Sequence, residues 1–132
     1  MPQVGFKKQF VPKVMTEEKP FTLRALRKDG RDTKAGQTLY MFTGLRTKQC
    51  RKFAEKPCRF AVTVNLSWRS ILIPTIGSLK TPALLESFSR LDGFESYAAF
   101  CEFHKITEGM TAKPMRLVAW ITRDELAKLL SL

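Results

Sequence analysis

The residues best suited to chemistry in this chain lie in one short segment, Lys19-Pro20-Phe21-Thr22-Leu23-Arg24. In a β-strand residues i and i+2 share a face, so Thr22 and Arg24 point the same way. Lys19 sits in the entry turn, where its amine can curl back beside Thr22. Converging donors of this kind suit a phosphate or a base edge, and a lysine held near other cations loses its proton more readily, so Lys19 could activate the Thr22 hydroxyl. The alternative is an exposed strand start with a solvated arginine.

Two basic loops extend this segment. One follows Arg24 directly, and the other lies between Gly44 and Lys52. If the two loops meet in space, they form a stripe beside a cleft and contact phosphates without reading sequence. The alternative is two unrelated solvated loops. The side chains that we expect to bind ligand or phosphate are Arg24, Arg27, Lys28, Arg31, Arg46, Lys48 and Arg51.

The distribution of charge favours the same interpretation. The 132 residues carry a formal net charge of +11, which is typical of proteins with a polyanionic partner. Residues 1–60 hold 15 lysines and arginines against 5 acidic residues, whereas residues 61–132 hold 8 against 7. Because the charge is confined to one half, we expect RNA, DNA or a nucleoside as the partner. The alternative is a basic surface without function.

Several other kinds of site are not expected. The spacings of Cys50, Cys58 and Cys101 fit neither a disulfide framework nor a zinc site. The chain has no G-x-G-x-x-G or Walker motif, so we expect no nucleotide cofactor. Because it also has only one histidine, we expect no metal site. The single histidine, His104, falls on the apolar stripe of a helix, and the pattern predicts a packed, hydrogen-bonded core residue.

Local patterns predict an α+β fold in a single domain over residues 1–132. No segment approaches 18 apolar residues and the first residues lack the apolar run of a signal peptide, so we expect a cytoplasmic protein without membrane contact. Strands are predicted over residues 21–24, 38–43, 58–66, 68–74 and 115–122. Helices are predicted from the Thr81-Pro82 cap to Asp92-Gly93, from Tyr97 to His104, and over residues 123–131 after the capping box Thr122-x-x-Glu125.

The segment Lys19-x-x-Thr22-x-Arg24 resembles the K-x-x-[TE]-x-R signature of ASCH domains, which are relatives of the PUA RNA-binding barrels. Flanking segments resemble other parts of the family in order and spacing, so that the likeness covers about residues 5–122. These segments are Phe6 to Val14, Lys34-Ala35-Gly36-Gln37, Leu91 to Ser96, and the closing strand Met115 to Ile121.

The resemblance implies a small PUA-like mixed or antiparallel β-barrel with flanking helices and a cleft for a nucleoside or RNA. One branch, the small bacterial N4-acetylcytidine amidohydrolases, uses a lysine, a threonine and a glutamate. By position these correspond to Lys19, Thr22 and Asp92. The resemblance then implies that Thr22 attacks the amide carbonyl and Lys19 takes its proton, while Asp92 orients the base or protonates the leaving amine.

Other functions stay open at this point. The same cleft could hold a base in a non-catalytic nucleic-acid-binding module, and a ribonuclease or a protein-binding role are further alternatives. The segment Gly44-x-Arg46-x-x-Gln49-x-Arg51 also imitates the signature. We prefer the Lys19 register because the expected turn and strand follow it.

Overall fold

Residues 2–132, the part of the chain that the computed structural model describes, form eight β-strands and four α-helices. A 3₁₀ turn at Lys8–Phe10 precedes the first helix. The strands are β1 Gln3–Phe6, β2 Phe21–Ala25, β3 Thr38–Thr43, β4 Arg51–Pro57, β5 Phe60–Ser67, β6 Ser70–Ile73, β7 Gly77–Leu79 and β8 Lys113–Ala119. The helices are α1 Val11–Met15, α2 Pro82–Leu91, α3 Tyr97–His104 and α4 Arg123–Leu129.

The strands are joined into two sheets. The smaller has the order β1-β3-β4, in which β1 runs parallel to β3 and β3 antiparallel to β4. The larger has the order β2-β8-β5-β6-β7 and is antiparallel throughout. The expected α+β class is confirmed. The described strands form no closed barrel, because β1 and β2 each end a sheet without pairing to each other.

The second strand of the larger sheet, β8, fixes the position of β2. Met115, Leu117, Val118 and Ala119 are all buried, as expected for a strand that is covered on both faces. β8 pairs with β2 on one side and with β5 on the other. This pairing sets Thr22 opposite Val118 and leaves the outer edge of β2 free to face a site.

Helices α2 and α3 pack as a hairpin over the start of β2. Phe88 of α2 lies with its ring centroid 4.8 Å from that of Phe21, and Phe100 of α3 lies 5.9 Å from Phe88. Thr81 caps α2 as predicted, since its hydroxyl accepts a hydrogen bond from the Leu84 amide. The packing brings the C-terminal ends of both helices to the free edge of β2.

The sequence patterns missed part of the smaller sheet. The second basic loop is predicted to extend to Lys52, but Arg51–Pro57 form β4, so Arg51 is the first residue of a strand rather than part of the loop. The strand predicted from Cys58 begins at Phe60, and the last helix ends at Leu129 rather than residue 131. β4 is polar and mostly exposed, so it lacks the alternation that identifies a half-buried strand.

Gly93 is required where α2 ends. Its φ of +95° lies in the left-handed region, and a Cβ built there would come within 2.8 Å of Cδ1 of the Phe10 ring. The chain thereby turns away from α2 while its backbone touches Phe10. Any side chain at this position would push apart the elements that surround Lys19, whose Cδ lies 3.3 Å from the same point.

We expect Gly93→Ala to lower the free energy of unfolding by roughly 2–5 kcal/mol, because the left-handed backbone strain adds to overpacking against Phe10. Gly109→Ala is the matched control, since its φ is +84° with nothing within 4 Å of the added Cβ. It should lose only about 1–2 kcal/mol. Urea unfolding of both variants measures the difference, and equal losses would contradict the close contact with Phe10.

Candidate active site

A groove runs between the free edges of the two sheets, and a cavity of about 190 Å³ forms one part of it. One wall is β1 and the following turn, another is β2, and the closing wall comes from the ends of α2 and α3. The residues that line this cavity are Gly5, Phe6, Lys7, Phe10, Lys19, Thr22, Leu23, Arg24, Asp92, Phe94, Phe103 and His104. The structure thus places Lys19, Thr22, Arg24 and Asp92 of the predicted set around one cavity.

Lys19 and Asp92 form a buried ion pair on the wall of this cavity. Nζ of Lys19 lies 2.6 Å from Oδ1 of Asp92 and donates a second hydrogen bond of 2.6 Å to the Asp92 backbone carbonyl. The side chains are 3% and 2% exposed. A charged group is buried at such cost only when it is paired, so each residue holds the other in place.

The position of Asp92 explains why the pair is needed. Asp92 is the C-terminal cap of α2, where the helix dipole is negative and the last carbonyls lack partners within the helix. A carboxylate is unfavourable there without a cation, and the Lys19 ammonium meets both the carboxylate and the free carbonyl. The Lys19 backbone is in turn held by a hydrogen bond of 3.0 Å from its amide to the Lys13 carbonyl at the end of α1.

Burial lowers the pKa of the Lys19 ammonium below its ordinary value, and the nearby charges of Arg24 and Lys13 lower it further, while Asp92 opposes the shift. Because the pKa is lowered, a larger fraction of Lys19 is the neutral amine than for a lysine side chain in water at the same pH. A neutral amine that donates both of its N–H groups to Asp92 keeps its lone pair for a third direction. Lys19 therefore combines a fixed position with readier loss of its proton.

His104 belongs to the site, although its sequence pattern predicted only a packed core residue. Nε2 of His104 lies 3.1 Å from Oδ2 of Asp92, so the two carboxylate oxygens contact two different basic groups. The ring is buried and lies 4.6 Å from the Phe100 ring. It is packed and hydrogen-bonded as predicted. Its partner lies across the α2–α3 hairpin, and no spacing in the sequence signals that contact.

Thr22 and a group of phenylalanines line the rest of the cavity. Thr22 is 5% exposed and lies on β2, three residues after Lys19. Phe10, Phe94 and Phe103 contact one another, with ring centroids 5.0 to 6.3 Å apart. The cavity is therefore lined by aromatic rings together with a hydroxyl and an amine, and Nζ of Lys19 lies 5.0 Å from the centre of the Phe10 ring.

Arg24 crosses the gap between the sheets. Its Nη2 donates a hydrogen bond of 2.5 Å to the Gly5 carbonyl on the free edge of β1, and its guanidinium carbon lies 5.0 Å from the centre of the Phe6 ring. Nε of Arg24 is buried and has no hydrogen-bond partner among residues 2–132. Arg24 thus separates the cavity from a second hollow of about 340 Å³ farther along the groove.

The predicted basic stripe is only partly brought together. Arg27 and Arg46, from the two basic loops, line the second hollow together with Arg24, so the two loops do meet in space. The other predicted side chains are exposed and line neither hollow; these are Lys28, Arg31, Lys48 and Arg51.

Within residues 2–132 no three His, Cys, Asp or Glu side chains lie close enough to hold a metal ion. No helix of the described chain has the length and apolar character needed to cross a bilayer. A scan against protein-family models and searches of curated proteins and of solved structures found no match to this chain. The relation to ASCH domains therefore remains a proposal that depends on the motif and on the geometry of the cavity.

A double-mutant cycle tests the buried pair. Asp92→Asn and Lys19→Met alone should each lower the free energy of unfolding by about 3–5 kcal/mol, because each leaves a buried group without its charged partner. The double variant should lose less than the sum by at least about 1 kcal/mol. The exposed pair Lys52–Glu55, with an N–O distance of 2.5 Å, is the control and should show a coupling below about 1 kcal/mol. Equal coupling in both cycles would contradict the role of burial.

The lowered pKa of Lys19 predicts a pH dependence of stability. Between its value in the folded chain and its ordinary value of 10.5, the unfolded chain binds more protons, so this residue makes the free energy of unfolding rise with pH. The free energy of unfolding of the wild type, minus that of Lys19→Met, should therefore increase as the pH rises toward 10.5. Lys8→Met, which removes an exposed lysine, should show no such trend. A difference that falls with pH would reverse the assigned direction.

Proposed function

We propose that this chain is an ASCH-like, PUA-related domain that binds a nucleobase in the Lys19 cavity and hydrolyses the N4-acetyl amide of N4-acetylcytidine. The observation that carries the proposal is that Lys19, Thr22 and Asp92, which the resemblance assigns to catalysis, line a single cavity. The PUA-like relation is part of the proposal, with β1 and β2 as the two edges that flank the cleft.

The proposed reaction proceeds through an acyl group on Thr22. Oγ1 of Thr22 adds to the acetyl carbonyl carbon while neutral Lys19 takes its proton. The C–N bond then breaks, and the Lys19 ammonium returns the proton to the N4 amine of the leaving cytidine. Water then adds to the ester carbonyl carbon while Lys19 takes its proton. The bond from that carbon to Oγ1 of Thr22 breaks, Lys19 returns the proton to Oγ1, and acetic acid leaves and ionises to acetate.

Asp92 serves in this scheme as a positioning residue for Lys19. Both of its carboxylate oxygens are already engaged, one by Lys19 and the other by His104, which supports orientation of the amine over protonation of the leaving group. Asp92 is one methylene shorter than the glutamate of the amidohydrolases that the chain resembles. Its place at the cap of α2, in direct contact with Lys19, brings the shorter side chain within reach.

The shape of the cavity supports a single base as ligand. Its volume of about 190 Å³ lies below the range of roughly 300–1,000 Å³ that is usual for drug-sized ligands. Phe10, Phe94 and Phe103 offer ring faces, on which a base can stack. The amine of Lys19 and the hydroxyl of Thr22, which line the same cavity, provide the polar contacts that fix its orientation.

A non-catalytic nucleic-acid-binding module is the second candidate, and one observation favours it. Nζ of Lys19 makes two hydrogen bonds of 2.6 Å, one of them to a carboxylate, and that contact favours the charged ammonium. A lysine held in its charged form binds a base or a phosphate but does not take a proton from Thr22.

Purified wild-type protein should release acetate from N4-acetylcytidine, and Thr22→Ala should reduce the rate at least about 100-fold because the nucleophile is lost. Thr22→Ser, which keeps the hydroxyl, should retain measurable turnover. Thr38→Ala removes an exposed hydroxyl of β3 that lies outside the cavity and should leave the rate unchanged. Acetate and cytidine are quantified by chromatography.

The two candidate functions give different results in this assay. Turnover that persists in Thr22→Ala would exclude Thr22 as the nucleophile. Binding of cytidine by wild type without any release of acetate would support the non-catalytic module instead.

A further inference from the structure

The second hollow of the groove has an unusual concentration of arginines. Arg24, Arg27, Arg46 and Arg116 line it, and Asp32 is the one acidic residue among its lining side chains in the described part of the chain. The Asp32 carboxylate accepts a hydrogen bond of 2.8 Å from the Arg27 backbone amide, so one of its two oxygens already has a hydrogen-bond donor within the loop. Four arginines, from β2, β8 and the two basic loops, therefore line one hollow.

Two of these arginines are direct neighbours across the sheet. Arg24 of β2 lies opposite Arg116 of β8 in the antiparallel register. Like charges directly opposite each other destabilise a strand pair. The two guanidinium groups therefore repel each other, and an anion bound between them would reduce this repulsion. Arg116 is held in place by hydrogen bonds of 3.0 and 2.9 Å from its guanidinium to the Thr33 carbonyl and by one of 3.3 Å to the Thr63 hydroxyl.

The loop that carries Arg46 is built onto the groove. Leu45 packs on Gly5, where an added Cβ would lie 3.3 Å from the Leu45 Cβ. Arg46 itself has a φ of +67°, a left-handed conformation that is uncommon outside glycine. The Thr47 amide and hydroxyl both donate hydrogen bonds to the Gly44 carbonyl and stabilise this turn. Arg46, the residue with this left-handed backbone, thus lines the second hollow.

Most of this charge has no internal counterion. Among residues 2–132, Arg24, Arg46 and Arg116 make no ion pair with a carboxylate, and only Arg27 has one, with Asp29 at 2.9 Å on the exposed loop. Guanidinium groups that converge without carboxylates form the usual environment for a phosphate, which they bind through charge-assisted hydrogen bonds.

We infer that the second hollow binds the phosphate of a nucleotide whose base occupies the Lys19 cavity, so that a phosphate-bearing substrate binds more tightly than the free nucleoside. The inference rests on the proposed function for the base, and Arg24, which lines both hollows, separates base from phosphate. The phosphate belongs either to a mononucleotide or to a nucleic-acid strand, which share this chemistry.

Binding of unacetylated cytidine compounds tests the inference without any turnover. The probes are cytidine, cytidine 5′-monophosphate, cytidine 3′-monophosphate and a short single-stranded RNA with one central cytidine, measured by calorimetry with wild-type protein. At least one phosphate-bearing probe should bind about tenfold tighter than cytidine. Preference for a monophosphate assigns the site to the nucleotide's own phosphate, and preference for the RNA alone assigns it to a neighbouring phosphodiester.

Arginine variants show whether the preference comes from this hollow. Arg46→Gln should remove most of the preference for the phosphate-bearing probe, and in the RNA titration it should reduce the slope of log K against log salt concentration by about one. Arg59→Gln removes an exposed arginine that lines neither hollow and should keep the preference. Equal binding of all probes, or an equal effect of the two variants, would overturn the inference.

The two proposals fail separately. Phosphate preference without acetate release from N4-acetylcytidine contradicts the hydrolase and leaves the phosphate site supported. Acetate release with no phosphate preference overturns the phosphate site and leaves the hydrolase supported.

Discussion

The buried ion pair between Lys19 and Asp92 is the contact on which the rest of the site depends. Burying two charges is unfavourable, and it is offset here because the amine meets a carboxylate and a helix-end carbonyl at the same time. Several local features follow from this requirement. The chain must leave α2 through a glycine, because Phe10 and the Lys19 stem occupy the space beside it. His104 must come from the next helix, because the second carboxylate oxygen also needs a partner.

The groove exists because the two sheets do not close on each other. β1 and β2 each present a free edge, and the Arg24 guanidinium spans the distance that a backbone hydrogen bond would otherwise cover. A barrel closed at this seam would have no room for side chains between the strands. The open seam instead gives one end an aromatic, weakly polar cavity and the other a cationic hollow. This difference between the two ends suits a ligand that has a flat ring and an anionic group.

Local chemistry made part of this arrangement predictable from the sequence. The shared face of Thr22 and Arg24 follows from the two-residue repeat of a strand, and the position of Asp92 at a helix end follows from the Thr81 cap and Gly93. The remaining contacts depend on long-range register. Nothing in a single sequence signals that Arg116 lies opposite Arg24, or that His104 reaches Asp92 across a hairpin. β4 was not predicted for a different reason: its exposed polar residues show no alternation of apolar and polar side chains.

The polar composition of β4 has a further consequence for the behaviour of the chain in concentrated solution. Exposed strand edges invite other chains to add strands and so start aggregation. β4 ends the smaller sheet with Arg51, Lys52 and Lys56 along its length and Pro57 at its end, and β7 ends the larger sheet with only three residues. The two outer edges are therefore protected by charge, proline and shortness. The more buried edge strands, β1 and β2, face each other across the ligand groove and are not open to a further strand.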